Sequence, residues 1–382
     1  MMRPMKLAGS ELMFGEGSLE YIRNIPERRI FIVIGGKSME KNGVLDRVFN
    51  LFKENGADVC VFKGVEPDPS FRTVMKGAEK MKEFQPDLIV GLGGGSVMDA
   101  AKTMWAYYEN PEWTTLADVL SKAKLPNMCE KARYLCIPTT SGTASEVSRS
   151  IVITDDEKGL KHGYGNMAMM PNIAICDPAV TLSLPAKTTA ETGMDALTHA
   201  LEALVSNRAN YLSDILASAA VKDIIHYLPL ACADGSDMEA REHMMNASMT
   251  AGMAFTNVSL GIVHSLAQTL GGYFHASHGL LDAIILPYII RYNSQREYAN
   301  KKYKAMAAAC RSDDLAVLVE ELNAKLGIPK TLQEVILDET KYLELVDEMA
   351  EASKNDGCTK TNPVIPEVDG FAGLLKLCYY GK

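Results

Sequence analysis

Asp87-Leu88-Ile89-Val90-Gly91-Leu92-Gly93-Gly94-Gly95-Ser96-Val97-Met98-Asp99-Ala100-Ala101-Lys102 is the stretch that decides the fold. Residues 87–92 form a short apolar run, as in a strand buried on both faces of a parallel sheet. Glycines follow at once, and helical spacing then continues to about Tyr108. A strand, a glycine turn and a helix in direct succession form the repeating unit of a parallel sheet with right-handed crossovers.

The pattern extends outward. Upstream, Arg29-Ile30-Phe31-Ile32-Val33-Ile34 is another buried strand, ending at Gly35-Gly36, and residues 42–54 follow with helical spacing. Residues 58–62 read as a strand and residues 70–84 as a helix. Downstream, Tyr134-Leu135-Cys136-Ile137-Pro138 is a strand running into Thr139-Thr140-Ser141-Gly142-Thr143-Ala144-Ser145-Glu146. Near Pro185 the character changes to long helical patterns, clearest over 186–206, 211–227, 237–259 and 313–326, with almost no strand signals. The expected organisation is an α/β parallel-sheet domain over 1–184 and an all-α domain over 185–382.

The glycine loop has a chemical reading. Glycines let the backbone approach a ligand, and the amides of the following helix N-terminus face an anion, most often a phosphate. The loop is not the usual dinucleotide fingerprint, because Ser96 stands where GxGxxG needs glycine. It is not a P-loop, because GK[ST] is missing. A plain tight turn is the bland alternative, and the phosphate site is favoured over it. The hydroxyl-rich loop 139–146 suits phosphate or ribose equally as well as a capped turn.

A second constellation lies in the helical half. In Gly193-Met194-Asp195-Ala196-Leu197-Thr198-His199, Asp195 and His199 are four apart and share a helix face. Alone, that pair reads better as an ordinary ion pair. However, His264 follows Gly261-Ile262-Val263, and Gly271-Gly272-Tyr273-Phe274 leads into His275-Ala276-Ser277-His278-Gly279. Several histidines in apolar surroundings read as metal ligands. A carboxylate with imidazoles suits Fe²⁺ or Zn²⁺ and fits Mg²⁺ or Ca²⁺ poorly.

Composition bounds the partners. The 382 residues carry 39 Lys and Arg against 48 Asp and Glu, a net charge of −9. This offers no broad basic surface, so nucleic acid is not expected. No run of 18 apolar residues occurs, so no membrane span is expected, and the start lacks the apolar stretch of a signal peptide. The eight cysteines are scattered without any CxxC and read as reduced thiols of a cytoplasmic protein.

These motifs, in order and at matching spacing along the whole chain, resemble the iron-containing (group III) alcohol dehydrogenases. That family includes lactaldehyde reductases, 1,3-propanediol dehydrogenases and butanol dehydrogenases. The resemblance implies a Rossmann-like N-terminal domain, a helical C-terminal domain and an active site in the cleft between them. It implies metal ligands Asp195, His199, His264 and His278, holding Fe²⁺ in preference to Zn²⁺. NAD(P)(H) contacts are expected from Gly36, Ser38, Asp68, Gly94, Gly95, Ser96, Asp99, Thr139, Thr140, Thr143 and Lys161. His275 becomes a proton-relay candidate, with a packed, satisfied histidine as the equal alternative.

The chain departs from the family pattern at several points. Gln268 stands where many members have histidine, Asp282 replaces asparagine in HGxxNA, Asp68 replaces asparagine in VEPNP, and Lys360 replaces a glycine near Cys358. Gly36-Lys37-Ser38 holds no carboxylate against a 2′-phosphate, so NADP(H) is expected to be tolerated. Arg149, Ser150 and Cys358 are placed near the substrate. Arg149 suits an anionic group on a small aldehyde, although a structural arginine is the preferred reading.

The implied activity is hydride transfer between nicotinamide C4 and a small primary alcohol or aldehyde, in a homodimer or larger assembly. The alternative is a metal- and NAD-dependent lyase like dehydroquinate synthase. Such enzymes use a glutamate with two histidines and a basic phosphate pocket, so Asp195 with three histidines argues against it.

Overall fold

The computed structural model describes residues 5–121, 125, 126, 128–156 and 159–382. The chain divides into two compact units, one ending at Ser183 and one spanning Leu184–Lys382.

The first unit is built on a six-stranded parallel sheet. Its strands are β1 (Glu11–Phe14), β2 (Arg29–Val33), β3 (Asp58–Phe62), β4 (Leu88–Gly93), β5 (Arg133–Pro138) and β8 (Ile173–Cys176), in the order β1-β8-β5-β4-β2-β3. A separate antiparallel hairpin joins β6 (Ser150–Thr154) to β7 (Lys161–Gly165). Every residue of β4 is buried, as its uninterrupted apolar run requires. The helix Gly95–Glu109 packs over the sheet with Met98, Trp105 and Tyr107 in the core. The order in which strands are added reverses at β2: β3 pairs on one side of it and β4 on the other, all parallel. Sheets of this type bind ligands outside the carboxyl ends of the strands at such a switch point. The loops after β2 and β4 lie there.

The sequence reading missed β1, β6, β7 and β8. Strand β7 is Lys-His-Gly-Tyr-Gly, which carries no apolar alternation and is a strand only because it pairs with β6.

The second unit is helical throughout its described elements. At its centre is the helix Ala186–Val205, buried continuously from Gly193 to Val205. It packs against Tyr211–Ala233, Met238–Val258 and His278–Asn293. Such all-round burial explains a helix whose apolar residues do not form a single stripe. By length and composition, Tyr211–Ala233 could cross a membrane. Ser213, Asp214, Ser218, Lys222, Asp223 and His226 interrupt its apolar sequence.

Candidate functional site

In the first unit, two loops meet. Gly94 is the N-cap of the helix Gly95–Glu109. A Cβ at Gly95 would lie 2.6 Å from the Thr143 side chain, and one at Gly94 would lie 3.3 Å from that of Thr140. The glycines therefore let the loop after β4 lie directly on the loop after β5. The Thr139 amide donates to the Gly93 carbonyl at 3.0 Å, and the buried Thr140 Oγ1 has no hydrogen-bond partner. A free hydroxyl beside a helix N-terminus suits a phosphate or ribose oxygen.

Asp99 has a structural duty. It accepts from Ser145 Oγ at 2.6 Å and from the Val152 amide at 2.9 Å, tying the second loop and the hairpin to the first helical turn. Lys102, not singled out from sequence as a site residue, reinforces this. Its buried ammonium donates to Ser145 Oγ and to the carbonyls of Ser145, Ser148 and Ser150, at 2.9–3.1 Å. Arg149 and Ser150 are thereby held at the start of the hairpin, both half-buried. Asp68 and Lys161, both expected near the cofactor, pair with each other at 2.8 Å. The Asp68 amide donates to Ser96 Oγ at 3.4 Å. Gly36 and Ser38 are exposed beyond the end of β2.

In the second unit, donor atoms of Asp195, His264, His278 and Asp282 all lie within 4.8 Å of one another. Three of these are expected ligands, and Asp282 joins them. His264 Nε2 is 3.6 Å from Asp195 Oδ1 and 4.0 Å from Asp282 Oδ2, and His278 Nε2 is 3.3 Å from Asp282 Oδ2. His199 lies alongside, its Nε2 3.4 Å from Asp195 Oδ1 and its ring stacked on His264 and Phe255.

Gly279 makes this meeting possible. A Cβ there would sit 2.2 Å from the Glu191 carbonyl oxygen, so only glycine lets the start of His278–Asn293 reach the central helix. Glu202, one turn beyond His199, accepts from the amides of Gly261 and Val263 and from His264 Nδ1 at 2.7–2.8 Å. This leaves His264 Nε2 aimed at the carboxylates. The Gly261 Cβ position is itself filled by Asn362 Oδ1 and Glu202 Oε1.

The electrostatics point to a cation. Burial opposes charge on Asp195, yet the imidazoles of His199, His264 and His278 outweigh it and hold the carboxyl below its ordinary range. For Asp282, burial prevails over the pull of His264, and Asp195 and Glu202 add to it, raising the carboxyl well above its usual value. For His264, burial is outweighed by Asp282, Glu202 and Asp195, which raise its pKa well above the ordinary imidazole value. Asp195 Oδ1, His264 Nε2 and both Asp282 oxygens are buried without hydrogen-bond partners. Converging orphan donors of this kind fit a bound divalent cation, which satisfies all of them at once.

His275 is exposed and caps its helix with φ +55°, so the packed alternative does not hold. Cys358 lies in a turn tied to the helix of His264: Asp356 accepts from Ser265 Oγ, and Thr359 Oγ1 donates to the same hydroxyl at 2.8 Å. Burial pushes the Cys358 thiol up, away from thiolate chemistry.

The family comparison agrees with this geometry. Residues 9–178 match the iron-containing alcohol dehydrogenase family and residues 189–379 match its C-terminal domain. The chain belongs to the iron-containing alcohol dehydrogenase family. It is similar to an NADPH-dependent butanol dehydrogenase of Clostridium saccharobutylicum, 42% identical over 379 residues covering 97% of each chain. It is 40% identical to aldehyde-alcohol dehydrogenase 2 of Entamoeba histolytica, aligning over 97% of this chain but only 46% of that longer relative. An iron-containing alcohol dehydrogenase of Thermococcus thioreducens superposes with a TM-score of 0.92 at 32% identity, covering 99% of this chain and 100% of that one. This alcohol dehydrogenase is therefore an NAD(P)-dependent oxidoreductase of alcohols and aldehydes, and the lyase alternative is not favoured.

Proposed function

We propose that the enzyme interconverts a small primary alcohol and its aldehyde, with Asp195, His199, His264 and His278 holding a divalent iron. The observation that carries this is the convergence from three helices of donor atoms of Asp195, His264, His278 and Asp282, among which Asp195 Oδ1 and His264 Nε2 are buried without hydrogen-bond partners. The cation would supply Lewis-acid polarisation of the substrate oxygen, and the nicotinamide would supply or take the hydride. Around it, Glu202 orients His264, and Gly279 admits His278. His275, exposed at a helix end, is the candidate for passing a proton to solvent.

For the cofactor, we assign the phosphates to the Gly94–Ser96 amides and Thr140, supported by the helix N-terminus there and the unpartnered Thr140 hydroxyl. We assign Thr139, Thr143, Asp68 and Lys161 to the same site through their contacts with these loops, add Gly36 and Ser38 as further contacts, and give Asp99 the role of holding the second loop in place. Exposed Lys37 and Ser38, in a Gly-Lys-Ser turn that itself holds no carboxylate, favour acceptance of NADP(H), in line with the NADPH-dependent relative. Arg149 and Ser150 are candidates for the substrate mouth, whereas the Cys358 thiol is better suited to packing. Eight free cysteines suit a reducing cytoplasm, and a homo-oligomer is the assembly we infer from the family.

A screen of NADH and NADPH oxidation against short aldehydes, run anaerobically with Fe²⁺ or Zn²⁺, tests the reading. Turnover of butanal or propanal with NADPH supports it. Turnover of none by metal-replete protein contradicts it.

A further inference from the structure

We propose that Asp282 is itself a ligand, so that the cation is held by two carboxylates, Asp195 and Asp282, together with the histidines. This inference rests on the metal-site reading above.

Asp282 is wholly buried, and neither carboxylate oxygen has a hydrogen-bond partner. A buried carboxylate in that state needs a compensating charge. Two imidazole nitrogens face its Oδ2, His278 Nε2 at 3.3 Å and His264 Nε2 at 4.0 Å. Ligand atoms about 2.1 Å from a shared ion stand about 3.0–3.5 Å apart when adjacent and up to about 4.2 Å when opposite. Both separations fit that range.

A role as hydrogen-bond partner alone fits less well. The nitrogens facing Asp282 are the same ones that must bind metal, and a ring nitrogen cannot donate a proton and coordinate together. Nδ1 of His264 is already engaged by Glu202. Position supports the assignment too. His278 and Asp282 are four apart on one helix, as Asp195 and His199 are on another, and Asp282, unlike His199, falls within the group of donor atoms that lie within 4.8 Å of one another.

A second carboxylate neutralises the divalent charge completely and makes the shell richer in oxygen. That composition favours Fe²⁺ or Mn²⁺ relative to a site with one carboxylate.

The test compares metal-stripped wild type with Asp282→Asn and Asp282→Leu, titrating Co²⁺ against a chromophoric chelator. Both variants should lose more than about 100-fold in Co²⁺ affinity, beyond the roughly 10–100-fold that removing a group supporting a ligand costs. Circular dichroism should show both folded, because each removes a buried carboxyl whose oxygens have no hydrogen-bond partner. A loss of about 100-fold or less by either folded variant overturns the assignment while leaving the metal site intact. Wild type that binds no Co²⁺ overturns the underlying metal reading as well. A further measurement needs no variant. The infrared difference spectrum of wild type labelled with ¹³C-aspartate, with and without Zn²⁺, should show two aspartate carboxylates shifting. A change equal to one aspartate overturns the proposal.

Discussion

His264 Nδ1 donates to Glu202 Oε2 across 2.7 Å, although 62 residues separate them in the chain. The carboxylate also receives two backbone amides from the first turn of the His264 helix. One side chain thus fixes both the ring orientation and the helix that carries it. Carboxylate–imidazole pairs of this kind set the tautomer of metal-binding histidines. Glu202→Gln is therefore expected to weaken metal binding roughly 10–100-fold. Chelator competition measures it, and an unchanged affinity would remove Glu202 from the account.

Glycine geometry gives a paired prediction. Gly279→Ala places a methyl group 2.2 Å from the Glu191 carbonyl oxygen and must push two helices apart. Overpacking of this sort costs about 1–3 kcal/mol, and the same displacement moves His278 away from Asp195. We expect a lower Tm together with lost metal. Gly272→Ala is the control: nothing lies within 4 Å of its Cβ position, and helix propensity favours alanine by about 0.5–1 kcal/mol. Differential scanning calorimetry separates the two, and similar melts would refute the close-approach argument.

Much of this was legible in the sequence, for stated reasons. Strands β2, β4 and β5 announce themselves because burial on both faces demands unbroken apolar runs ended by glycine or proline, whereas the edge strand β3 is only partly buried and reads from its Val-Cys-Val-Phe run. Strand β1 is only Glu-Leu-Met-Phe, and its identity comes from pairing with β8. The partnership of Asp195 with His199 follows from helical spacing alone. The same spacing joins His278 to Asp282, but Asp282 read as a departure from the family pattern rather than as a donor. Glu202 stood in a recognised motif, yet its role depends on a helix that begins 60 residues later. Lys102 gives no local sign of its duty, because its acceptors are carbonyls whose positions only the folded loop defines.

In the cofactor loops, Gly95→Ala forces the Thr143 side chain to move, because the new Cβ would lie 2.6 Å from it. The Kd for NADPH should rise about tenfold, equivalent to roughly 1.4 kcal/mol. Fluorescence titration of NADPH reads this directly in metal-free protein. An unaltered Kd would place the cofactor phosphates elsewhere.

Stability should carry a pH signature from Glu146. Burial raises its carboxyl from 4.5 to about 7. Between those values the folded protein holds a proton that the unfolded chain has released. The contribution is therefore fully present below about 4.5 and is lost as pH rises through about 7. Glu146→Gln keeps the shape without the charge, so it should stabilise the protein above pH 7 and change little near pH 4.5. Urea unfolding across this range checks it. A Glu146→Gln effect independent of pH would contradict the assignment.

The central claim is that the buried donors of the second unit hold the cation on which turnover depends. The most direct measurement is aldehyde-dependent NADPH oxidation by chelator-stripped protein, before and after anaerobic addition of Fe²⁺. The account predicts that stripped protein still binds NADPH, turns over negligibly and recovers activity with about one equivalent of metal per chain. Undiminished turnover by protein shown to be metal-free would contradict it.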